Sequence, residues 1–110
     1  MPITITVLPG NAMTVIGEQT QEDKDLDALA WKLAACESSQ VPDIKILDKN
    51  NEYSYGFLQV QQKTWDWGCK RFNLECTDIF DYVQQRELFK AFHRSGEWQK
   101  HWVICSQRIK

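Results

Sequence analysis

The feature that most constrains the fold is an amphipathic segment at residues 26–38, with the sequence LDALAWKLAACES. Its apolar residues recur at helical spacing and form one stripe: Leu26, Leu29, Ala30 and Leu33. Glu37 continues this stripe, because it follows Leu33 by one helical turn. Burial raises the pKa of a carboxyl group, as a general acid working near neutral pH requires. Glu37 is therefore a candidate general acid, and the alternative is a solvated carboxylate beyond the helix end.

The composition is that of a single folded domain. Of its residues, 43% are hydrophobic and 25% are charged, which is typical of a folded protein. A chain of 110 residues is too short to form two hydrophobic cores. Its net charge of −2 provides no long-range attraction to nucleic acid or to anionic membranes. No apolar stretch reaches the length of a membrane-spanning helix. We expect a monomer that neither binds nucleic acid nor inserts into a membrane.

Four cysteines in a short chain predict two disulfides and an oxidising compartment. Of the three possible pairings, the preferred one joins Cys69 to Cys76 and Cys36 to Cys105. Four reduced thiols are the first alternative. A zinc site formed by Cys69, Cys76, His101 and Cys105 is the second, although the sequence lacks the Cys-x-x-Cys spacing of structural zinc sites. No signal peptide is recognised at the N-terminus, so an exported form would be trimmed or would leave by another route.

The chain divides into an extension at residues 1–22 and a mostly α domain at residues 23–110. In the extension, alternating residues from Ile3 to Val7 and a segment from Thr14 to Ile16 predict either a short β-hairpin or a flexible arm. The domain begins with a helix at 23–37, capped by Thr20 or Asp23. The later elements are predicted in this order: a loop at 43–54, a short helix at 57–62, a helix at 64–71 capped by Thr64, a long helix capped by Thr77 or Asp78 and ended by Ser95 and Gly96, and a final helix at 97–105.

Two motifs carry a resemblance to a known family. The first is Cys36-Glu37-Ser38 at the helix end, and the second, about fifteen residues later, is Ser54-Tyr55-Gly56-Phe57-Leu58-Gln59. Together they resemble the lysozyme-like superfamily, and within it the small lytic transglycosylase (SLT-type) domains, over residues 26–105. The resemblance implies a lysozyme-like α domain, a muramidase activity on peptidoglycan glycan strands without metal or cofactor, and a secreted, periplasmic or phage-delivered protein.

The resemblance also implies roles for individual residues. Glu37 would be the catalytic acid, which a glycosidic oxygen needs because it is a poor leaving group. The substrate-binding set would be Ser38, Ser54, Tyr55, Gly56, Gln59 and Gln85. Within it, Gly56 would allow close approach of the backbone to a sugar, Gln59 would donate and accept hydrogen bonds, and Ser38 would bind the acid or hold the loop. A tyrosine over the acid, common in the family, would be Tyr53, Tyr55 or Tyr82.

The mechanism is left open by one substitution. Chicken-type lysozymes carry an Asp immediately before the Tyr-Gly pair, where this chain has Ser54. Asp43, Asp48 and Glu52 are the remaining candidates for a second carboxylate. A single acid favours transglycosylation, in which the 6-hydroxyl of muramic acid attacks and an anhydro product forms, over hydrolysis. The competing function is an inactive lysozyme-like domain that binds peptidoglycan or a protein through its tryptophans: Trp65, Trp67, Trp98 and Trp102.

Overall fold

The computed structural model describes residues 5–7, 13–15 and 19–109. The elements in chain order are β1 (Ile5–Val7), β2 (Met13–Val15), α1 (Gln21–Ser38), β3 (Lys45–Leu47), β4 (Tyr53–Tyr55), β5 (Val60–Gln61), α2 (Gln62–Arg71), α3 (Tyr82–Arg94), α4 (Trp98–His101) and α5 (Val103–Arg108). The described chain is mostly helical, as predicted, and β3, β4 and β5 form a small antiparallel sheet in that order.

The predicted N-terminal hairpin is present in the described residues. β1 pairs antiparallel with β2, and Thr6 lies opposite Thr14. The sequence also assigned Ile3 and Ile16 to these strands, and both lie outside the described residues.

Helix α1 buries the face that the sequence predicts. It is slightly longer than the predicted residues 23–37 at both ends. It begins after Thr20, whose hydroxyl accepts a hydrogen bond from the amide of Asp23 at 3.1 Å. Four of its apolar side chains enter the core: Leu26, Ala30, Leu33 and Ala34. Ser39 then takes a left-handed conformation with φ of 55°, which ends the helix. Glu37 therefore lies in the last turn of α1.

A buried charge network joins α1 to α3. The Lys90 ammonium of α3 is almost fully buried and lies 2.7 Å from a carboxylate oxygen of Asp23 and 2.8 Å from one of Asp27. Glu87 contacts the same ammonium at 3.2 Å. Three carboxylates around one buried cation compensate its loss of hydration and fix α3 against the helix that carries Glu37.

The structure contains two disulfides, and their pairing is the one preferred from the sequence. Cys36–Cys105 joins the last turn of α1 to α5 across 69 residues. Cys69–Cys76 joins α2 to the segment that follows it across 7 residues. Because these sulfurs are oxidised, the alternatives of reduced thiols and of a zinc site with His101 are wrong. Among the residues that the structure describes, no group of His, Cys, Asp or Glu side chains is arranged to hold a metal ion.

The segment between α1 and α2 differs from the prediction. The predicted loop at 43–54 contains β3 and β4, and the predicted helix at 57–62 is a turn followed by β5. Gly56 and Gln59 have φ values of 72° and 52°, in the left-handed region, so the backbone between them cannot continue as a right-handed helix. The strands are only two or three residues long, and all residues of β3 are exposed. The sequence therefore shows almost no alternation of apolar and polar residues by which these strands could be predicted.

The starts of the later helices also differ. α2 begins at Gln62, not after Thr64. α3 begins at Tyr82 and is capped by Asp81, which accepts a hydrogen bond from the amide of Gln84 at 2.9 Å. The predicted caps of this helix, Thr77 and Asp78, instead donate their backbone amides to the Gln84 side chain at 2.8 and 3.0 Å. The turn at residues 77–81 therefore precedes α3 and is fixed to it by the Gln84 side chain.

The end of α3 agrees with the prediction, because the helix stops before Ser95 and Gly96, which has a φ of 79°. The predicted helix at 97–105 is broken into α4 and α5 at Trp102. The Trp102 indole is buried and donates to the carbonyl of Leu58 at 2.7 Å. Among the described residues, no helix has both the length and the apolar character needed to cross a membrane.

Candidate active site

Glu37 is a half-buried carboxyl group with a strongly raised pKa. Burial, and then the negative charge of Asp48, raise its pKa from 4.5 to about 7. The C-terminal end of a helix also carries a partial negative charge, and the last turn of α1 contains no basic residue to offset it. Glu37 is therefore about half protonated at pH 7, whereas an ordinary glutamate is ionised there, and this is what a general acid requires.

The small sheet presents two chemically different faces. Side chains alternate between the faces, and the register pairs Ser54 with both Ile46 and Gln61. We call the face that carries Ile46, Asp48, Ser54 and Gln61 the inner face. The opposite face carries Lys45, Leu47, Tyr53, Tyr55 and the core residue Val60. Asp48 on the inner face contributes to the raised pKa of Glu37.

Asp48 is held in place by two neighbours on the inner face. The buried hydroxyl of Ser54 and the amide nitrogen of Gln61, at 2.7 Å, both donate to the same oxygen, Oδ2. Gln61 is fixed in turn by reciprocal hydrogen bonds of 3.1 Å with the Asn50 side chain. Ser54, predicted to contact substrate, thus orients a carboxylate through its own hydroxyl group.

The three candidates for a second carboxylate have different surroundings. Asp43 is exposed in the turn before β3, and Glu52 forms an exposed ion pair with Lys63 at 3.2 Å. Asp48 is half-buried, oriented by hydrogen bonds and close enough to raise the pKa of Glu37. Of the three, Asp48 is thus the one whose charge raises the pKa of Glu37.

Ser38 connects the helix of the acid to the second motif. Its buried hydroxyl lies 2.7 Å from the carbonyl of Phe57 and 3.0 Å from that of Ala34. Of the two roles that the sequence allowed, the geometry is that of holding the loop. The hydroxyl proton is shared between these backbone carbonyls, so Ser38 positions the turn that carries Phe57.

Gln85 is fully buried and holds the same turn from the side of α3. Its amide nitrogen donates to the carbonyls of Tyr55 at 2.7 Å and Ile79 at 2.5 Å, and its oxygen accepts from the amide of Leu58 at 2.8 Å. The sequence predicted a contact of Gln85 with substrate; in the structure the side chain is enclosed and its donors and acceptor are engaged by the backbone. Its contacts explain why the turn keeps one conformation.

Gly56 is required by this packing. Its φ is 72°, and a Cβ atom added there would lie 2.8 Å from the Gln85 amide nitrogen. The close approach that the sequence assigned to a sugar is thus made by a side chain of α3. A larger residue at this position would strain the backbone and displace Gln85.

Gln59 retains a polar group for a ligand. Its amide nitrogen donates to the carbonyl of Gly56 at 2.9 Å, which leaves the amide oxygen of this half-buried side chain to accept a hydrogen bond. Tyr55, by contrast, lies on the face opposite to Asp48 and packs edge-on against Phe80 at 5.5 Å. The Gln59 amide nitrogen also lies 3.4 Å from the carbonyl of Ile44, so the group that Gln59 offers to a ligand is its amide oxygen.

The contacts of the three candidate tyrosines are with groups other than Glu37. Tyr53 and Tyr55 lie on the face of the sheet opposite to the inner face, where the Lys45 ammonium lies 4.1 Å from the Tyr53 ring centre. Burial raises the pKa of Tyr82, and the charges acting on it are those of Arg86 and its neighbours, not that of Glu37. The described residues contain no tyrosine placed over Glu37 by these contacts.

Gln61 and Asn50 were not predicted from the sequence. Gln61 donates to Asp48, and Asn50 binds Gln61 in turn. Gln59, Val60 and Gln61 alternate polar, apolar and polar, which is the pattern of a half-buried strand and the one signal that could have indicated Gln61. Nothing in the sequence indicates Asn50, because its contact with Gln61 spans 11 residues across the hairpin turn.

The tryptophans do not form the binding surface that the alternative function needs. Trp65, Trp98 and Trp102 are each less than 10% exposed and belong to the core, and Trp67 is 49% exposed. A shallow pocket lies beside the Cys69–Cys76 disulfide, and neither Glu37 nor Asp48 lines it. The binding hypothesis thereby loses three of its four aromatic contacts.

Replacing Gln85 by Met should destabilise the protein by about 3 kcal/mol, because it leaves buried backbone groups of Tyr55, Leu58 and Ile79 unpaired. Urea denaturation followed by circular dichroism measures this change. Gln107→Met, on the exposed side of α5, is the matched control and should change the free energy of unfolding by less than about 0.5 kcal/mol. Equal effects of the two variants would contradict the role given to Gln85.

No protein-family model, curated protein or solved structure matches the chain. The functional assignment therefore depends on three features of the described residues. These are a half-buried acid with a pKa of about 7, a polar sheet face associated with it, and a turn that Ser38 and Gln85 hold in one conformation.

Proposed function

We propose that the protein is a lysozyme-like muramidase of the small lytic transglycosylase type. It would cleave the β-1,4 bond between MurNAc and GlcNAc in peptidoglycan, with Glu37 as the catalytic acid. The observation that supports this most strongly is the pKa of about 7 for a half-buried carboxyl group beside a polar sheet face. Catalytic acids require such a value, whereas an ordinary solvated Glu is ionised at neutral pH.

The reaction needs one proton donor that later becomes an acceptor. Glu37 gives its proton to the glycosidic oxygen as the bond between that oxygen and the anomeric carbon breaks. The Glu37 carboxylate then takes a proton from the 6-hydroxyl of the same MurNAc, whose oxygen bonds to the anomeric carbon. The products are a 1,6-anhydro end and a free GlcNAc hydroxyl, and Glu37 is protonated again. This cycle requires no cofactor.

The surroundings of Glu37 support this chemistry. Ser38, the residue next to the acid, binds the carbonyl of Phe57, so the acid and the turn that carries Gln59 keep a fixed separation. The Gln59 amide oxygen can accept a hydrogen bond from a sugar hydroxyl or N-acetyl group. Two disulfides are compatible with a protein that acts outside the cytoplasm, where peptidoglycan lies.

Cleavage should become slower as the pH rises through about 7, because the proton that Glu37 must donate is lost there. The expected decrease is about tenfold per pH unit well above this midpoint. Release of soluble label from dye-linked peptidoglycan, measured between about pH 5 and pH 9 at constant ionic strength, tests this. An unchanged rate across that range would contradict Glu37 as the acid, and absence of release at every pH would contradict the proposed function.

A further inference from the structure

We propose that Trp67 and the basic residues around it on α2 and α4 form a second glycan-binding surface, which holds an anionic strand of peptidoglycan outside the catalytic site. We call this the α2–α4 surface, and its members are Trp67, Lys70, Arg71, Lys100 and His101. The choice of ligand rests on the proposed function, because the strand is the substrate assigned there. The surface is additional to that function, since cleavage is assigned to Glu37 and the turn after β4.

Trp67 is an exposed aromatic side chain with a rigid support. Its indole is 49% exposed and stacks on the fully buried ring of Phe92 in α3, with 5.8 Å between the ring centres and 28° between the ring planes. The His101 ring of α4 lies 6.0 Å away. Gly68 lets α2 approach α3 this closely, because a Cβ atom there would lie 2.7 Å from a methyl group of Leu88. A side chain already held in one place loses little conformational entropy when a ligand packs on it.

The charged groups on these two helices are mostly positive. Their residues include four lysines and arginines and one carboxylate, Asp66, which accepts a hydrogen bond from Gln62 at 2.9 Å. Helix α1, by contrast, has five carboxylates and two lysines. Charge is therefore segregated on the molecule, so the α2–α4 surface attracts anions although the net charge of the chain is −2.

Two of these cations are available to an anionic ligand. Lys70 and Lys100 are exposed, and neither forms an ion pair with another residue that the structure describes. Lys70 follows Trp67 by three residues, so both lie on the same side of α2. The Arg71 guanidinium lies 5.2 Å from the Trp67 ring centre and donates to Glu97 at 2.7 Å. Because Glu97 offsets the charge of Arg71, the two lysines supply the net positive charge.

The α2–α4 surface lies far from the acid. Phe92, on which Trp67 stacks, belongs to the last turn of α3. That end of α3 lies beside the first turn of α1, because the Arg94 guanidinium is 2.9 Å from the Asp23 carboxylate. Glu37 is in the last turn of α1, about 20 Å further along the helix. A sugar strand bound at the surface therefore does not occupy the catalytic site.

A single indole among cations is suited to a strand of acidic glycan. One face of a pyranose ring consists of C–H groups, which pack on an aromatic ring while the hydroxyl groups remain hydrated. The peptide stems of peptidoglycan carry carboxylates, and these form charge-assisted hydrogen bonds with ammonium groups such as those of Lys70 and Lys100. A second attachment point also raises the effective concentration of the strand at the catalytic site.

Other macromolecules fit the surface less well. Trp67 is the one exposed large hydrophobic side chain of α2 and α4, whose residues the structure describes in full. A stable protein interface needs about 800 Å² on each partner, far more than one indole provides. Sites for single-stranded nucleic acid stack successive bases on several aromatic side chains along a basic groove. The surface therefore favours a glycan over a protein or a nucleic acid.

Trp67→Ala should weaken binding to insoluble peptidoglycan by about tenfold. The substitution is made in the Glu37→Gln variant, in which cleavage is not expected, and co-sedimentation measures the dissociation constant. Lys70→Glu combined with Lys100→Glu is the second variant, and it keeps the inference testable if Trp67→Ala does not fold. We expect about a tenfold loss here too, and a weaker dependence of the remaining binding on salt.

Lys24→Glu combined with Lys32→Glu is the matched control, since it reverses two exposed charges on α1. Its binding should stay within about twofold of the Glu37→Gln parent, because these charges are screened from the α2–α4 surface.

Absence of binding in the parent, unchanged binding in either surface variant, or an equal loss in the control would overturn the proposal. So would binding of a single-stranded oligonucleotide that is lost in the surface variants while binding to peptidoglycan is unchanged, because this would assign the surface to nucleic acid. Binding is measured without turnover. If it depends on Trp67 while the wild type releases no fragments, the proposed function fails and the surface remains, so the two failures are distinguishable.

Discussion

Glu37→Gln should lower the rate of peptidoglycan cleavage by about 10³-fold and leave the fold intact. Glutamine has the shape of glutamic acid and no proton to donate at neutral pH, so it removes the acid without creating a cavity. Release of soluble label from dye-linked peptidoglycan measures the loss, and far-UV circular dichroism checks the fold. Glu75→Gln, at an exposed position after α2, is the matched control and should retain wild-type activity.

The same substitution should increase stability above neutral pH. The pKa of Glu37 is raised from 4.5 to about 7 on folding, so between these values the folded protein binds a proton that the unfolded chain releases. The free energy of unfolding of the wild type therefore falls as the pH rises through this window, whereas that of the Gln variant lacks this decrease. Allowing for the solvent exposure of Glu37, we expect a gain of about 1–2 kcal/mol near pH 8 and none near pH 4.

An activity that survives in Glu37→Gln would contradict the assignment of the acid. A variant that loses activity and is also less stable than the wild type near pH 8 would indicate a structural role for Glu37 instead. The two measurements together therefore separate a strained catalytic group from a residue that simply packs.

Replacing Cys36 and Cys105 together by Ser should lower the free energy of unfolding by roughly 4 kcal/mol. This disulfide closes a loop of 69 residues, and the entropy that a crosslink removes from the unfolded chain increases with loop length. The matched control is the double substitution of Cys69 and Cys76, which opens a loop of 7 residues and should cost roughly 2.5 kcal/mol.

Urea denaturation of the two double variants and the wild type measures this difference. The Cys36–Cys105 pair also fixes the helical turn that carries Glu37 to α5, so its loss should reduce cleavage more than loss of the other disulfide. A larger destabilisation from the short loop would contradict the entropic account, since the short loop constrains the unfolded chain less.

The helix that carries the acid was predictable because its determinants are local. The apolar stripe from Leu26 to Leu33 and the cap at Thr20 lie within one helix, and the structure has both. The same periodicity indicated that Glu37 would be partly buried. It could not indicate Asp48, the charged neighbour, because their proximity depends on how the hairpin folds back toward α1.

The roles within the second motif were not predictable for the same reason. Gln85 contacts Tyr55 and Leu58 across 30 and 27 residues, and no local pattern encodes such a contact. Ser38 binds Phe57 across 19 residues. The resemblance to lysozymes predicted an Asp where this chain has Ser54, but only the structure shows that the Ser54 hydroxyl group binds Asp48.

The positive φ of Gln59 explains why the predicted helix at 57–62 was wrong. The residues are compatible with a helix, but the contacts of Gly56, Ser38 and Gln85 impose a turn. Tertiary contacts therefore override local preference in this segment. This places the Gln59 side chain on a turn with a single conformation, which is suitable for orienting a sugar.

The measurement that tests the central claim most directly is mass spectrometry of the soluble products formed from purified peptidoglycan, with Glu37→Gln incubated in parallel. We predict fragments that end in anhydro-muramic acid from the wild type and none from the variant. Fragments one water heavier would contradict transglycosylation and indicate a hydrolase. No fragments from the wild type, or the same fragments from both proteins, would contradict Glu37 as the acid of a peptidoglycan-cleaving enzyme.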